Sequence, residues 1–338
     1  MFHTRDKRSS WILNIIAFII IVFPFWGIHY TNDWEGYSYT FSHPIFSRDL
    51  GFSLLSLGFT SYGFEYQDLF KFHILLIAIS YLNLNRSVRL NPVILSIVLL
   101  IFYYVQIANQ IRYYLAYPLI LYSTYLLYNK KIFSSLLIIS VAFTFHKSVI
   151  IVLGIYILYF LSYSINSKHS QIILILLGNL LIGFAVGYIQ RFDAQYEEYQ
   201  TQVSSLLGGI FNSIPLIIAI ALIYKFNIII SRKESHLFKN HKYKWLYIIS
   251  VGTCVFFYAG LQMQVLTNRF IAPLLPIWIG YYMFIKTHTH IKSIDRLAAK
   301  YMWTMIICLF LWKFLVTPFL GLDSYISELG MIIESYYL

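Results

Sequence analysis

Charge is scarce in this sequence, and its scarcity excludes an ordinary soluble domain. Only 12% of the 338 residues are Asp, Glu, Lys or Arg, whereas a soluble domain carries about a quarter. Hydrophobic residues make up 59% of the chain, and the mean hydropathy is +0.67. We therefore expect membrane spans joined by short loops, with no separate soluble domain.

Cysteines and cofactor motifs are also few. Both cysteines, Cys254 and Cys308, lie inside apolar runs, where they are expected as small buried hydrophobic residues and not as a disulfide or a metal site. The sequence has no zinc-ligand, P-loop or dinucleotide-binding spacing. We accordingly expect neither a metal nor a cofactor.

Long apolar runs fill the chain, and most are long enough to cross about 30 Å of hydrocarbon. They predict an all-α, polytopic integral membrane protein with about 10–11 transmembrane helices in one transmembrane domain covering residues 1–338. The first run follows a basic segment and lacks a small-residue cleavage site, so we expect it to be retained. The predicted spans are 11–29, 68–83, 92–106, 112–128, 132–148, 149–163, 171–189, 209–230, 245–262, 270–286 and 301–320.

The distribution of basic residues predicts the orientation. With the amino terminus in the cytoplasm, 18 of the 25 basic residues face the cytoplasm, as the positive-inside rule requires. The net charge of +11 is then a topology signal, and we expect no nucleic-acid partner. The predicted loops are 30–67 and 190–208 outside, and the basic loops 231–244 and 287–300 inside. Residues 50–60 are too short to cross and predict a re-entrant or interfacial helix on the outer side.

Basic residues on the outer side are the first candidates for function, because such charges are costly unless they pair or bind something. Arg112 lies at the outer end of a predicted span, and Asn109, three residues earlier, shares its helix face. A guanidinium beside an amide suits phosphate or pyrophosphate oxygens. The alternative is an arginine that anchors the helix end among lipid headgroups.

His146 lies near the end of the span 132–148, which follows the span that begins at Arg112. Its expected depth in the membrane matches that of Arg112. Both residues lie 17 positions from Asn129 in the cytoplasmic turn between the two spans, so both are expected about 25 Å from that turn. Antiparallel helices joined by a short turn pack side by side. The two residues are therefore expected to line one outer cavity, although an isolated histidine also suits interfacial packing.

Acids and aromatic rings are interleaved in the first outer loop. Asp33, Trp34, Glu35 and Tyr37 suit sugar binding, because carboxylates accept hydroxyl hydrogen bonds and rings stack on pyranose faces. They also suit an interfacial aromatic belt. Asp49, just before the short helix, is a further candidate acid for sugar binding. Late in the chain, Arg269 precedes a proline-containing span and is a second candidate pyrophosphate ligand.

The segment from Asn109 to Ile151 resembles the EpsG-like family of polysaccharide polymerases, related in role to Wzy-type O-antigen polymerases. The matching features are Arg112 with Leu115-Ala116, a Lys-Lys turn, and a second span that ends in Phe145-His146 and Ser148. Asp33 with Tyr37, and Arg269 with Phe270, match further family features. The family often has Glu before Pro-Gly where this chain has Asp49-Leu50-Gly51, which leaves the role of Asp49 open.

The resemblance implies a glycosyltransferase of a bacterial inner membrane that makes O-antigen, capsule or exopolysaccharide. The implied substrate is an oligosaccharide repeat unit on undecaprenyl pyrophosphate, polymerised on the periplasmic or outer face. Arg112, Arg269 and Asn109 would bind pyrophosphate, and His146 or Asp33 would act as the base. A chain-length regulator and a flippase are implied partners.

Three other functions fit parts of the sequence. A C-type glycosyltransferase that adds one sugar from a polyprenyl phosphate donor also has acids in the first outer loop. An O-acetyltransferase would place its histidine deeper or nearer the cytoplasm. A flippase or other transporter would carry charges at mid-depth, whereas the candidates here gather at one face.

Overall fold

The computed structural model describes residues 7–47, 49–88, 91–149, 206–253, 264–316 and 325–337, together with helical positions at 156, 160, 173, 176–181, 257 and 261. Within these ranges the chain is helical and contains no strand. The chain is an all-α, polytopic membrane protein, as the apolar runs predicted. The described helices are α1 (Lys7–Trp26), α2 (Trp34–Ser42), α3 (Leu50–Ser61), α4 (Tyr66–Val88), α5 (Pro92–Asn109), α6 (Ile111–Tyr128), α7 (Ile132–Phe145), α8 (Leu206–Lys233), α9 (His241–Gly252), α10 (Gln264–His288), α11 (Lys292–Leu311) and α12 (Tyr325–Glu334).

Three of the described helices are long and apolar enough to cross a membrane: residues 92–109, 207–233 and 292–316. The last of these is α11 continued by a π-helical turn, Trp312–Val316. Shorter apolar helices cover residues 11–26, 50–61 and 132–145. The predicted spans 149–163 and 171–189 fall almost wholly outside the described residues, so the total of 10–11 spans stays a prediction.

The chain divides into two compact units, and each is described by itself. The first comprises residues 1–149 and 317–338, and the second comprises residues 150–316. The expectation of a single transmembrane domain stays a prediction. In the first unit α1 packs on α4 and α5, while α6 packs on α4 and α7. In the second unit α8, α10 and α11 pack against one another, and α9 packs on α8 and α10.

Local sequence explains where several of these helices begin and turn. Asn91 caps α5, because its side chain accepts hydrogen bonds from the N–H groups of Val93 and Ile94, which have no partner within the helix. At the turn between α6 and α7, Lys130 takes a left-handed conformation with φ of 61°. The two helices then pack closely, and the hydroxyls of Ser123 and Ser135 lie 2.9 Å apart.

The segment predicted as the first outer loop is more helical than expected. The short helix expected at 50–60 is present as α3, while α2 and a 3₁₀ turn at Pro44–Phe46 occupy the preceding part. α2 is held to α4 by the Trp34 ring, which lies 4.7 Å from the Tyr66 ring and 5.3 Å from the Phe70 ring, centroid to centroid. The loop is therefore a folded layer at one end of the first unit. The re-entrant and outer-side placement of α3 remains a prediction.

Candidate functional site

Several helix ends converge in the first unit. α6 begins at Ile111 and α7 ends at Phe145, so the antiparallel hairpin brings Arg112 and His146 to the same end, as their equal spacing from Asn129 predicted. The His146 ring meets the Tyr113 ring edge to face, with centroids 5.6 Å apart. After Phe145 the chain leaves the helix, because His146 has extended backbone angles. The α6–α7 hairpin thus presents the histidine beside the residue that follows Arg112.

Arg112 is held on two sides. Its Nη1 donates to Asp49 Oδ2 at 2.8 Å, and its guanidinium carbon lies 5.3 Å from the centre of the Tyr37 ring. The Asp49 side chain is 7% exposed and the Arg112 side chain 22% exposed. This geometry fixes the plane of the guanidinium, because an ion pair and a cation–π contact constrain it together. Arg112 Nε is buried and has no hydrogen-bond partner among the described residues.

Asp49 is the residue that joins α3 to the α6–α7 hairpin. It precedes α3 and accepts hydrogen bonds from Arg112 and from the backbone N–H of Lys147. Burial raises the pKa of the Asp49 carboxyl above its usual range, while the charges of Arg112 and Lys147 act in the opposite direction. Two cationic residues therefore flank one buried carboxylate where α3 meets the end of α7.

Gly51 explains how α3 comes so close to α7. A Cβ at this position would lie 2.6 Å from Thr144 Oγ1 and 3.0 Å from the Phe145 ring, closer than atoms can pack without a shift. Glycine is therefore required by the approach of two helices, since φ at this residue is ordinary. The Asp49-Leu50-Gly51 sequence that departs from the family pattern places a carboxylate and this close contact within one helical turn.

Asn109 has a partner of its own. Its amide nitrogen donates to Glu328 of α12 at 2.9 Å, so the carboxy-terminal helix packs against the end of α5. The Asn109 side chain is buried, and its Oδ1 has no partner among the residues described. The amide is thus near Arg112 in sequence but is engaged by a carboxylate, and a role in binding pyrophosphate stays a prediction.

The remaining candidate residues of the predicted first outer loop differ in their exposure. Trp34 is half-buried in the contact with α4, while Asp33 and Glu35 are exposed. Glu35 accepts a long hydrogen bond of 3.5 Å from the Tyr30 hydroxyl. Tyr37 is the member of this group that reaches the Arg112–Asp49 pair. Exposed acids remain suited to sugar hydroxyls, and the sugar-binding assignment stays a prediction.

Arg269 lies in α10, five residues after its start at Gln264. The helix begins earlier than the predicted span at 270, so Arg269 is inside the helix. Its side chain lies outside the described part of the structure. Its predicted role as a second pyrophosphate ligand stays a prediction.

The residues around the ion pair between Arg112 and Asp49 are called the Arg112–Asp49 corner below. Three of its contributors were not assigned a role from the sequence: Lys147, Gly51 and Glu328. Lys147 carried a signal, because it is one of the few basic residues on the predicted outer side and follows His146 directly. Gly51 and Glu328 carried none, since their contacts join segments far apart in the chain. Together the residues form a fixed guanidinium, a buried carboxylate, an adjacent lysine and a histidine, which is an arrangement suited to an anionic ligand.

Comparison with known proteins identifies the family. No curated protein and no solved structure matches the chain. The model of the EpsG family matches residues 11–326, which is nearly the whole chain and includes the Arg112–Asp49 corner. The chain therefore belongs to the EpsG family and is a membrane protein of polysaccharide biosynthesis.

Proposed function

We propose that the chain polymerises lipid-linked oligosaccharide repeat units on the outer face of a bacterial inner membrane. It transfers glycan from undecaprenyl pyrophosphate to a sugar hydroxyl of a second repeat unit, and the product is O-antigen, capsule or exopolysaccharide. The observation that carries the proposal is the Arg112 guanidinium, fixed by Asp49 and Tyr37 at the end of the α6–α7 hairpin. Membership of the EpsG family supports the same reaction.

The leaving group explains why a fixed guanidinium is needed. In the transfer, the acceptor oxygen bonds to the anomeric carbon, the bond from that carbon to the pyrophosphate oxygen breaks, and its electron pair leaves with the pyrophosphate. Negative charge develops on that oxygen, and an arginine already held in place stabilises it without reorganising. Asp49 holds the guanidinium through Nη1, and Tyr37 also hydrogen-bonds it. The exposed part of the Arg112 side chain, 22% of its area, can then face the ligand. Lys147 adds a second positive charge nearby.

The acceptor hydroxyl loses a proton as the new bond forms, so a base must lie within reach. His146 and Asp33 are the two candidates. His146 is half-buried and follows α7 at the end of the hairpin where α6 begins, whereas Asp33 is exposed just before α2. The contact between His146 and Tyr113 favours His146 for this role, because it holds the imidazole at a defined angle against the residue that follows Arg112.

Loss of the gene in its host tests the proposal. The deletion strain should lose the polysaccharide ladder on a gel and retain a band with a single repeat unit. Wild type should restore the ladder, while Arg112→Ala should not, although the variant protein is present in the membrane. A ladder that persists with a small uniform shift would instead indicate a transferase that modifies each unit, and the polymerase assignment would be wrong.

A further inference from the structure

A cavity of about 650 Å³ lies in the first unit between α3, α4, α6 and α7. On α4 its lining follows one face of the helix through Phe72, Leu76 and Ser80, which are four residues apart. Side chains at that spacing form a continuous stripe. The opposite wall comes from α6, so the cavity is a groove between two helix faces that run beside each other.

The groove begins next to the Arg112–Asp49 corner. Phe145, which touches Gly51, lines it, and so does Leu115, one turn of α6 after Arg112. On α6 the lining continues to Tyr125, which is 13 residues and about 20 Å from Arg112 along the helix axis. One end of the groove therefore adjoins the fixed guanidinium, and the rest extends along the membrane-spanning helices.

Most of the groove is apolar, and Pro118 lies at its middle. A proline inside a helix has no N–H to donate and displaces the carbonyl one turn earlier, which loosens the α6 wall at that point. The groove is also partly open along its length rather than sealed inside the unit. A long, flexible hydrocarbon chain can enter such a groove from the side.

On this basis, and resting on the proposed function, we propose that the groove binds the part of the polyprenyl chain nearest the pyrophosphate of the lipid-linked substrate. The anionic pyrophosphate would lie at Arg112, and the chain would extend from Phe145 and Leu115 towards Tyr125. A phospholipid with its phosphate at Arg112 and one acyl chain in the groove is the competing occupant, and the labelling experiment below separates the two.

The proposal predicts selectivity for chain length. Tyr81 is hydrogen-bonded to Tyr117, hydroxyl to hydroxyl, at 2.7 Å, and Tyr117 is about 8 Å along α6 from Arg112. Ser80, next to Tyr81, therefore lies beside the middle of α6. Ser80→Trp should block the path of a long chain while leaving space for a short one near Arg112. Ile79→Trp is the matched control, because Ile79 is 50% exposed and does not line the groove.

The test uses purified full-length protein in lipid vesicles with repeat-unit donors that carry either an undecaprenyl or a geranyl chain. Ser80→Trp should lower kcat/KM for the undecaprenyl donor by about tenfold relative to the geranyl donor, because the indole ring would occupy space that the longer chain needs. Ile79→Trp should leave the ratio unchanged. Equal losses with both donors in Ser80→Trp, or no loss in either, would overturn the assignment of the groove.

A binding measurement separates this proposal from the proposed function. Undecaprenyl phosphate with a photoreactive group in the isoprene units nearest the phosphate should label α4 and α6 within the groove, and phosphatidic acid with the group at a matching distance from its phosphate should not. Equal labelling by both probes would mean that the groove holds bulk lipid, and the proposal would be wrong. If the groove is labelled selectively but wild type forms no polymer from either donor, the polymerase assignment fails while the polyprenyl site stands.

Discussion

Two polar clusters in this protein, one in each unit, differ in charge, in exposure and in whether their polar atoms have hydrogen-bond partners. In the second unit, Tyr243 donates to Asn227 and lies 3.3 Å, hydroxyl to hydroxyl, from Tyr281. All three side chains are buried and uncharged. In the first unit, the Arg112–Asp49 pair is charged and partly exposed, and Arg112 keeps a nitrogen without a partner among the described residues.

The difference separates a structural cluster from a functional one. Buried polar groups that satisfy one another hold helices in register and have nothing left to offer a ligand. A charged pair at helix ends is costly to maintain unless it has a further role. The Tyr243 cluster therefore explains packing of α8, α9 and α10, and the Arg112 corner is where a ligand is expected.

The largest expected effect is at Arg112. Arg112→Ala removes the charge that stabilises the leaving group, so the rate of polymer formation should fall about a hundredfold to a thousandfold. It also leaves Asp49 buried without its partner, which should lower stability by about 3–5 kcal/mol. Polymer formed from lipid-linked repeat units, and thermal unfolding in detergent, measure the two effects.

A double variant separates these two effects. Arg112→Ala with Asp49→Ala removes both charges and should recover most of the stability lost in Arg112→Ala, while polymer formation should stay absent. If the double variant recovers polymer formation as well, Arg112 acts only to support the fold.

Gly51 gives the next largest effect. Gly51→Ala places a methyl group against Thr144 and Phe145, so α3 must move and carry Asp49 away from Arg112. A displacement of about 1 Å in a catalytic arrangement can reduce the rate about a hundredfold. The matched control is Gly58→Ala in the same helix, where nothing lies within 4 Å. Equal activity in the two variants would contradict the close approach of α3 to α7.

Protonation of Asp49 in acid should lower the activity, but it should not lower the stability of the fold. Because burial raises the pKa of Asp49, the carboxyl becomes protonated at a higher pH than an ordinary aspartate, and the pair with Arg112 weakens there. A raised pKa in the folded state means that protonation of this group favours the fold, so its contribution to stability does not fall with acid. A pH–rate profile should show an acid limb that is smaller in Asp49→Asn, and the part that remains belongs to the general base.

The smallest effect on activity is expected in the second unit. Tyr243→Phe leaves the Asn227 carbonyl buried without its donor, which should lower stability by about 1–3 kcal/mol. Activity per folded molecule should be unchanged, because this cluster is not at the proposed site. Melting temperature and polymer yield, measured on the same preparation, check both statements. A selective loss of activity at full stability would remove the contrast between the two clusters.

The sequence predicted much of the helical frame. Apolar runs placed α6 and α7 within a few residues of their observed bounds, because hydrophobic length is a local property. The equal spacing of Arg112 and His146 from Asn129 also predicted their common end, since the hairpin is set by one short turn.

What the sequence could not supply are the contacts between distant segments. Asp49 and Arg112 are 63 positions apart, and Asn109 and Glu328 are 219 apart. Such pairs depend on how α3 and α12 pack, and no local pattern encodes that packing. The role of Gly51 became visible only through the atoms that surround it, and Trp34 proved to be engaged in helix packing because α2 forms where a loop was expected.

The most direct test measures the leaving group of the reaction. Purified protein in lipid vesicles is given undecaprenyl-pyrophosphate-linked repeat units without any nucleotide sugar, and the released lipid is identified together with the glycan length. Wild type should release one undecaprenyl pyrophosphate for each new linkage, and Arg112→Ala should release almost none. Release of undecaprenyl monophosphate, or linkage formation that needs another sugar donor, would contradict the account.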